Sequence, residues 1–127
     1  MGRENIGVAV PEGTGYLDTL NVYHELHCLK RIYRFMYPDY YFPGFTEEEH
    51  EMNWMHNEHC IDFLRQSAMC HGDTGLITFE WREESRLPVA NATSHQCVSW
   101  NKLDRWTKAR TEDIMKPGWL VQLILGT

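Results

Sequence analysis

Apolar positions between Leu20 and Met36 recur at spacings of three and four: Leu20, Tyr23, Leu26, Leu29, Ile32, Tyr33 and Met36. That period predicts an amphipathic helix. Asp18 is its candidate N-cap and Pro38 its stop. Lys30, Arg31 and Arg34 fall towards its carbonyl end, where the helix dipole favours cations. Thr46 and Glu49 have the T-x-x-E spacing of a capping box, which opens a second helix running to about Met69. Cys70-His71-Gly72-Asp73 reads as the end of that helix and the turn after it. Leu76 to Arg82 alternates as a strand does, and its candidate partner is Gly7 to Val10. Glu83 to Ser94 is a polar loop. His95 to Arg110 is a third helix, with Ser94 as its cap and Val98, Leu103 and Trp106 on its apolar side. Residues 1–16 form an extended arm and 111–127 an irregular tail. With no linker or low-complexity run, residues 1–127 are expected to form a single domain. The expected class is mainly α: two antiparallel motif helices, a third helix and one or two short strands, stapled by disulfides.

Composition narrows the function. The 127 residues are 43% hydrophobic, as suits one folded core, and the net charge is −6. That acidic balance argues against nucleic acid or an anionic membrane surface as partner, since both need a basic patch. No signal peptide or membrane-spanning run is visible, and the apolar cluster Trp119 to Leu125 is too short to cross a bilayer. Cys28, Cys60, Cys70 and Cys97 are an even number, as a two-disulfide frame requires. Asn91-Ala92-Thr93 is a glycosylation sequon. Together these point to the lumen of the secretory pathway.

The candidate chemistry sits in two nearly identical stretches. HELHC covers His24 to Cys28, and HNEHC covers His56 to Cys60. Residues i and i+3 of a helix lie roughly 60° apart around the axis and ~4.5 Å along it, so each histidine pair can converge on one metal ion. If the two helices pack antiparallel with these faces opposed, His24, His27, His56 and His59 line one cleft. A Cys28–Cys60 bridge then staples the helices beside the ligands, and Cys70–Cys97 ties the third helix to the second. Four cysteines allow three pairings, and the sequence does not choose among them. Thiolate ligation of zinc is the rival, although the spacings contain no C-x-x-C pair. His95, or else His71, is placed to complete a three-histidine site, with His95 preferred. Asp62 is expected to accept a hydrogen bond from the N–H of a metal-bound imidazole while Arg65 holds it, the rival being an ordinary surface ion pair. The aromatic run Tyr37 to Phe45 is a loop, either a lid over core residues or one wall of a substrate cleft. Met52, Met55 and Met69 are expected in the core rather than on the metal. Imidazole donors alone leave copper, zinc and iron open.

The runs VYHELHCLKRI and HNEHCIDFLRQSAMCHGDT resemble the fungal UstYa-like family of mycotoxin-biosynthesis oxidases, which is marked by paired HxxHC motifs, the second continuing into HCxDxLRQ. His95-Gln96-Cys97 before a Trp-containing helix is similar as well. The resemblance covers about Gly15 to Trp106. It implies a copper- and oxygen-dependent oxidase acting on C–H or O–H bonds of a peptide or small-molecule substrate. Oxidative cyclisation, hydroxylation, desaturation and halogenation are the outcomes associated with the family. It also implies that His24, His27, His56 and His59 are the motif ligands, and that related oxidases are candidate partners in a homo- or hetero-oligomer. Family members usually carry an N-terminal membrane anchor. The rival expectations are a structural or hydrolytic zinc protein and a non-catalytic partner of an oxidase.

Overall fold

Thr46 fixes the start of the longest element. In the computed structural model, which describes residues 17–91, 93–111 and 113, its hydroxyl accepts from Glu49 N–H at 3.3 Å. Glu49 Oε2 in turn accepts from Thr46 N–H at 2.8 Å. Both halves of the expected capping box are made, and they hold the Glu49 carboxyl below its ordinary range. Gly72 closes the same helix in the left-handed conformation at φ 51°, which glycine adopts without a Cβ penalty.

The elements are α1 (Asn21–Phe35), α2 (Pro38–Tyr41), α3 (Glu47–His71), β1 (Thr78–Glu80), β2 (Val89–Asn91) and α4 (Trp100–Lys108). The fold is mainly α, as the period of the apolar residues predicts. The chain divides into two units. One, residues 18–74, holds α1, α2 and α3, and the other holds β1, β2 and α4. Among the described residues no helix is long and apolar enough to cross a membrane.

Several boundaries differ from expectation. Leu20, not Asp18, caps α1, and no side chain supports that end. The aromatic run contains one helical turn, α2, with Pro38 at its start, where a missing N–H costs nothing. The partner of β1 is β2, from the stretch read as a polar loop, with Thr78 opposite Asn91 and Glu80 opposite Val89. A turn at Arg82 to Ser85 returns the chain, and Asn91 Nδ2 donates to Glu80 Oε2 at 3.0 Å across the pair. α4 begins after Ser99 rather than Ser94. The expected strand at Gly7 to Val10, the arm and most of the tail lie outside the described residues.

α1 and α3 run antiparallel, because partners that advance along one helix retreat along the other. Glu25 receives a hydrogen bond from Ser67 Oγ, Cys28 meets Cys60, and Arg31 Nη2 donates to Asn53 Oδ1 at 2.6 Å. The seam is unusually polar. Cys28 and Cys60, both 0% exposed, are the buried apolar side chains of the described residues, and they share the seam with buried Asn53, Asn57 and Ser67. The apolar stripe that announces α1 turns outward instead: Leu26 is 44% and Leu29 53% exposed. Met52, Met55 and Met69 are exposed too, so the expectation that they fill the core is not met.

All four cysteines are thiols in this structure, without the expected bridges. Burial pushes the Cys28 thiol up to about 12, and its hydrogen bond with Cys60 pushes in the same direction. Such a thiol presents almost no thiolate at neutral pH. With the reduced, native protein, iodoacetamide should modify the exposed Cys70 and Cys97 quickly and Cys28 and Cys60 only when denaturant opens the helix pair. Peptide mapping by mass spectrometry checks this, and equal rates at all four positions would contradict a closed seam.

Candidate metal centre

The antiparallel register brings the two histidine pairs to one place. His24 and His27 leave α1 on the side facing α3, and His56 and His59 leave α3 towards them. Ring centres are 6.0 Å apart for His24–His27, 5.9 Å for His27–His56, 6.4 Å for His56–His59 and 6.0 Å for His59–His24. The four imidazoles therefore mark the corners of a near-regular quadrilateral. They line one open cleft of about 660 Å³ together with Thr19, Tyr23 and Met55. His24 is half-buried and stacks on Phe63 with centres 4.3 Å apart and planes 16° from parallel. That contact fixes one corner.

The donor chemistry suits a metal that accepts imidazole nitrogen. An imidazole bound at ~2.0–2.1 Å carries its ring centre roughly 3.2 Å from the ion, so two rings on one ion lie within roughly 6.4 Å of each other, and each side of the quadrilateral meets that limit. Among the described residues no three donor side chains stand close enough, as placed, to hold one ion. Side-chain torsions on the two helices are what would bring the ring nitrogens to one ion.

The electrostatics favour neutral rings. Desolvation lowers His27 and His56 below the usual imidazole value of 6.5, and the Arg31 guanidinium is the next cause for each. Neighbouring imidazoles add to the effect. Both side chains thus keep a lone pair available at neutral pH.

Two other expected site residues lie further along α3. Asp62 is exposed on α3, and its carboxylate accepts from Arg65 Nη2 at 2.7 Å and Gln66 Nε2 at 2.6 Å. These bonds hold it below the ordinary carboxylate range. The Arg65 contact is as expected, but no imidazole is among the hydrogen-bond partners of Asp62. One turn along the helix, Arg65 and Gln66 already take both of its oxygens. His71 ends α3, with Nδ1 2.9 Å from the Ser67 carbonyl oxygen. Twelve residues beyond His59, it is ~18 Å further along the axis and cannot join the quadrilateral. His95 and Cys97 are exposed in the segment before α4, with Cys97 Sγ 3.9 Å from the His95 carbonyl oxygen. Both belong to the second unit, with β1, β2 and α4. Asn91, the sequon asparagine, is exposed in β2.

Sequence reasoning missed Phe63 and Arg31 as parts of the site. Phe63 follows Cys60 by three and Arg31 follows Cys28 by three. A helix repeat extended one turn past each motif would have pointed to both.

A family model described as "Mycotoxin biosynthesis protein UstYa" matches residues 1–110. The UstYa family oxidase VicYb of Bipolaris victoriae is 34% identical over 76% of this chain and 83% of its own length. The UstYa family oxidase aprY of Aspergillus flavus is 27% identical over 80% of this chain, which spans only 32% of that protein. The oxidase ustYa of the same fungus is 29% identical over 82% of this chain and 50% of its own length. No solved structure matches. With the match running through both histidine motifs and the helices that carry them, the chain belongs to the UstYa mycotoxin-biosynthesis family.

Proposed function

We propose that this chain is an oxidase of fungal secondary metabolism whose centre is copper held by His24, His27, His56 and His59, and whose substrate is a peptide or small molecule. The observation that carries the reading is the quadrilateral of imidazoles on two facing helices. The three relatives described above are named oxidases, which supports the reaction class we assign. Bound copper would supply one-electron redox chemistry with molecular oxygen, leading to C–H or O–H oxidation. The protein's share is positioning. Helices α1 and α3 set the separation of the ligands, Phe63 holds the His24 ring by stacking, and desolvation keeps His27 and His56 unprotonated. Tyr23 and Met55 shape the open side of the cleft where a substrate would lie. In an oxidising lumen, exchange with a disulfide donor would join Cys28 to Cys60, since the two side chains are already in contact. Glycosylation at Asn91 would accompany passage through that lumen.

Metal analysis tests the centre directly. Purified protein should carry copper in preference to zinc, and replacing any one of His24, His27, His56 or His59 with Ala should lower copper affinity by more than the roughly 10–100-fold that losing a ligand's supporting partner costs. Oxygen uptake with candidate substrates should vanish in the same variants. Tightly held zinc, with no copper uptake, would sink the oxidase reading.

The pH dependence follows from the lowered imidazoles. His27 and His56 take up protons only below 6.5, so their share of the copper affinity should stay level from pH 8 to about 6.5 and fall beneath it. The metal-free fold follows the same sign. The unfolded chain protonates these rings near 6.5 while the folded chain resists, so stability is full above that value and is lost as pH falls through the lowered ones. Isothermal titration with copper between pH 5 and 8 is the measurement. An affinity already falling steeply between pH 8 and 7 would show rings of raised basicity and overturn this reading.

A further inference from the structure

Beyond the histidines, α1 carries Lys30, Arg31 and Arg34, a concentration of positive charge in a chain of net charge −6. Arg34 lies in the last turn of α1, where the helix dipole accounts for it. Arg31 has a different setting. It is half-buried, and its one hydrogen bond among the described residues goes across the seam to Asn53. Asn53 is itself buried and held by Asn57, whose Nδ2 donates to the Asn53 carbonyl at 2.6 Å. A guanidinium has five N–H donors, so most of those on Arg31 remain for another partner.

Two cavities meet at this side chain. A small one of about 90 Å³ is lined by His27, Lys30, Arg31, Arg34 and Phe42, without a carboxylate. A larger one of about 280 Å³ shares Arg31 and Phe42 with it and is lined further by Phe45, Met52, Asn53 and His56. Glu49 also lines the larger cavity, but its Oε2 is taken by the Thr46 N–H and hydroxyl. Each cavity thus touches a corner of the histidine quadrilateral: His27 for the cationic one, His56 for the apolar one.

We propose that Lys30, Arg31 and Arg34 bind a carboxylate of the substrate in the small cavity, while Phe42, Phe45 and Met52 receive the apolar or aromatic body attached to it. The site deepens the oxidase reading, and rests on it, by naming the substrate class: an acid whose apolar part passes beside His27 and His56. Arg31 is the anchor, because the Asn53 contact orients its fork and a carboxylate accepts two parallel N–H donors from such a fork. A purely inorganic anion would leave the aromatic cavity without a role.

The test uses the whole metal-free protein and two small probes, 3-phenylpropionate and the uncharged 3-phenylpropionamide, titrated by NMR. The carboxylate should shift the signals of Arg31 Nε–H, Phe42 and the His27 ring, and bind at least ~10-fold more tightly than the amide. Arg31→Met should abolish the difference and Arg31→Lys should retain part of it. Equal binding of the two probes to the wild-type protein, or shifts that avoid Arg31 and Phe42, would overturn the proposal without any variant. Displacement of the probe by inorganic phosphate at equal concentration would also overturn it, by showing an unspecialised anion site. His59→Ala separates the two readings, since it should lose copper and keep 3-phenylpropionate. If no variant or wild-type sample binds copper, the oxidase reading fails while the carboxylate site stands on its own titration.

Discussion

The buried contact between Cys28 and Cys60 sets the geometry of the whole helical unit. Each cysteine directly follows the second histidine of its motif, so a contact between the cysteines leaves little freedom in the axial register. With the cysteines in contact on antiparallel helices, His27 lies by His56 and His24 by His59, with ring separations of 5.9 and 6.0 Å. A slip of one turn would move a helix by ~5.4 Å and separate the facing pairs. Spacing within each motif sets the pairs, and the cysteine contact sets the four.

The seam that makes this contact is poor in the usual source of stability. Beyond the two cysteines it is filled by Asn53, Asn57, Ser67, Glu25 and Arg31, and Asn57 Oδ1 has no partner among the described residues although it is buried. Net stabilisation from hydrogen bonds is modest, and an unmet buried acceptor costs ~1–3 kcal/mol. Apolar burial stabilises most domains more than hydrogen bonding does, yet Leu26, Leu29, Met52 and Ile61 point to solvent. A helix pair built this way gains unusually from any link between its halves. A disulfide acts by restricting the unfolded chain, and a metal acts because it binds only the folded arrangement. On the proposed reading, the same residues that perform the chemistry also hold the two helices together.

Much of this was legible in the sequence because its signals are local. The capping box at Thr46, the glycine stop at Gly72 and the i, i+3 histidines each depend on a few neighbours along the chain. The two long helices therefore emerge close to their true bounds. What failed depends on tertiary choice. The period of Leu26, Leu29 and Tyr33 announces a helix but not which side packs, and the packed side proved to be the cysteine side. β1 chose Val89 to Asn91, three residues within a polar run too short to show alternation. Asp62 lies at the right spacing to serve a histidine, but Arg65 and Gln66 lie at equally good spacings to occupy it. Sequence spacing gives the partners a side chain can reach; competition among them decides the contact.

The repeated motif makes the centre nearly two-fold symmetric, and the residues just beyond each motif break that symmetry. Three after Cys28 stands Arg31, and three after Cys60 stands Phe63. A two-fold relation between the motifs exchanges His24 with His56 and His27 with His59, so these two side chains occupy equivalent places at opposite ends of the quadrilateral. Phe63 stacks on His24 at the end shared with His59. Arg31 acts on His27 and His56 at the other end, lowering both. One end of the cleft is therefore apolar and sterically fixed, and the other is cationic and leads into the cavities behind Phe42. A symmetric ring of four ligands would accept a substrate in either direction. On the proposed reading, a ring stacked at one end and a guanidinium at the other would let an anionic substrate enter in one direction only, so the duplicated motif would present one bond rather than two for oxidation.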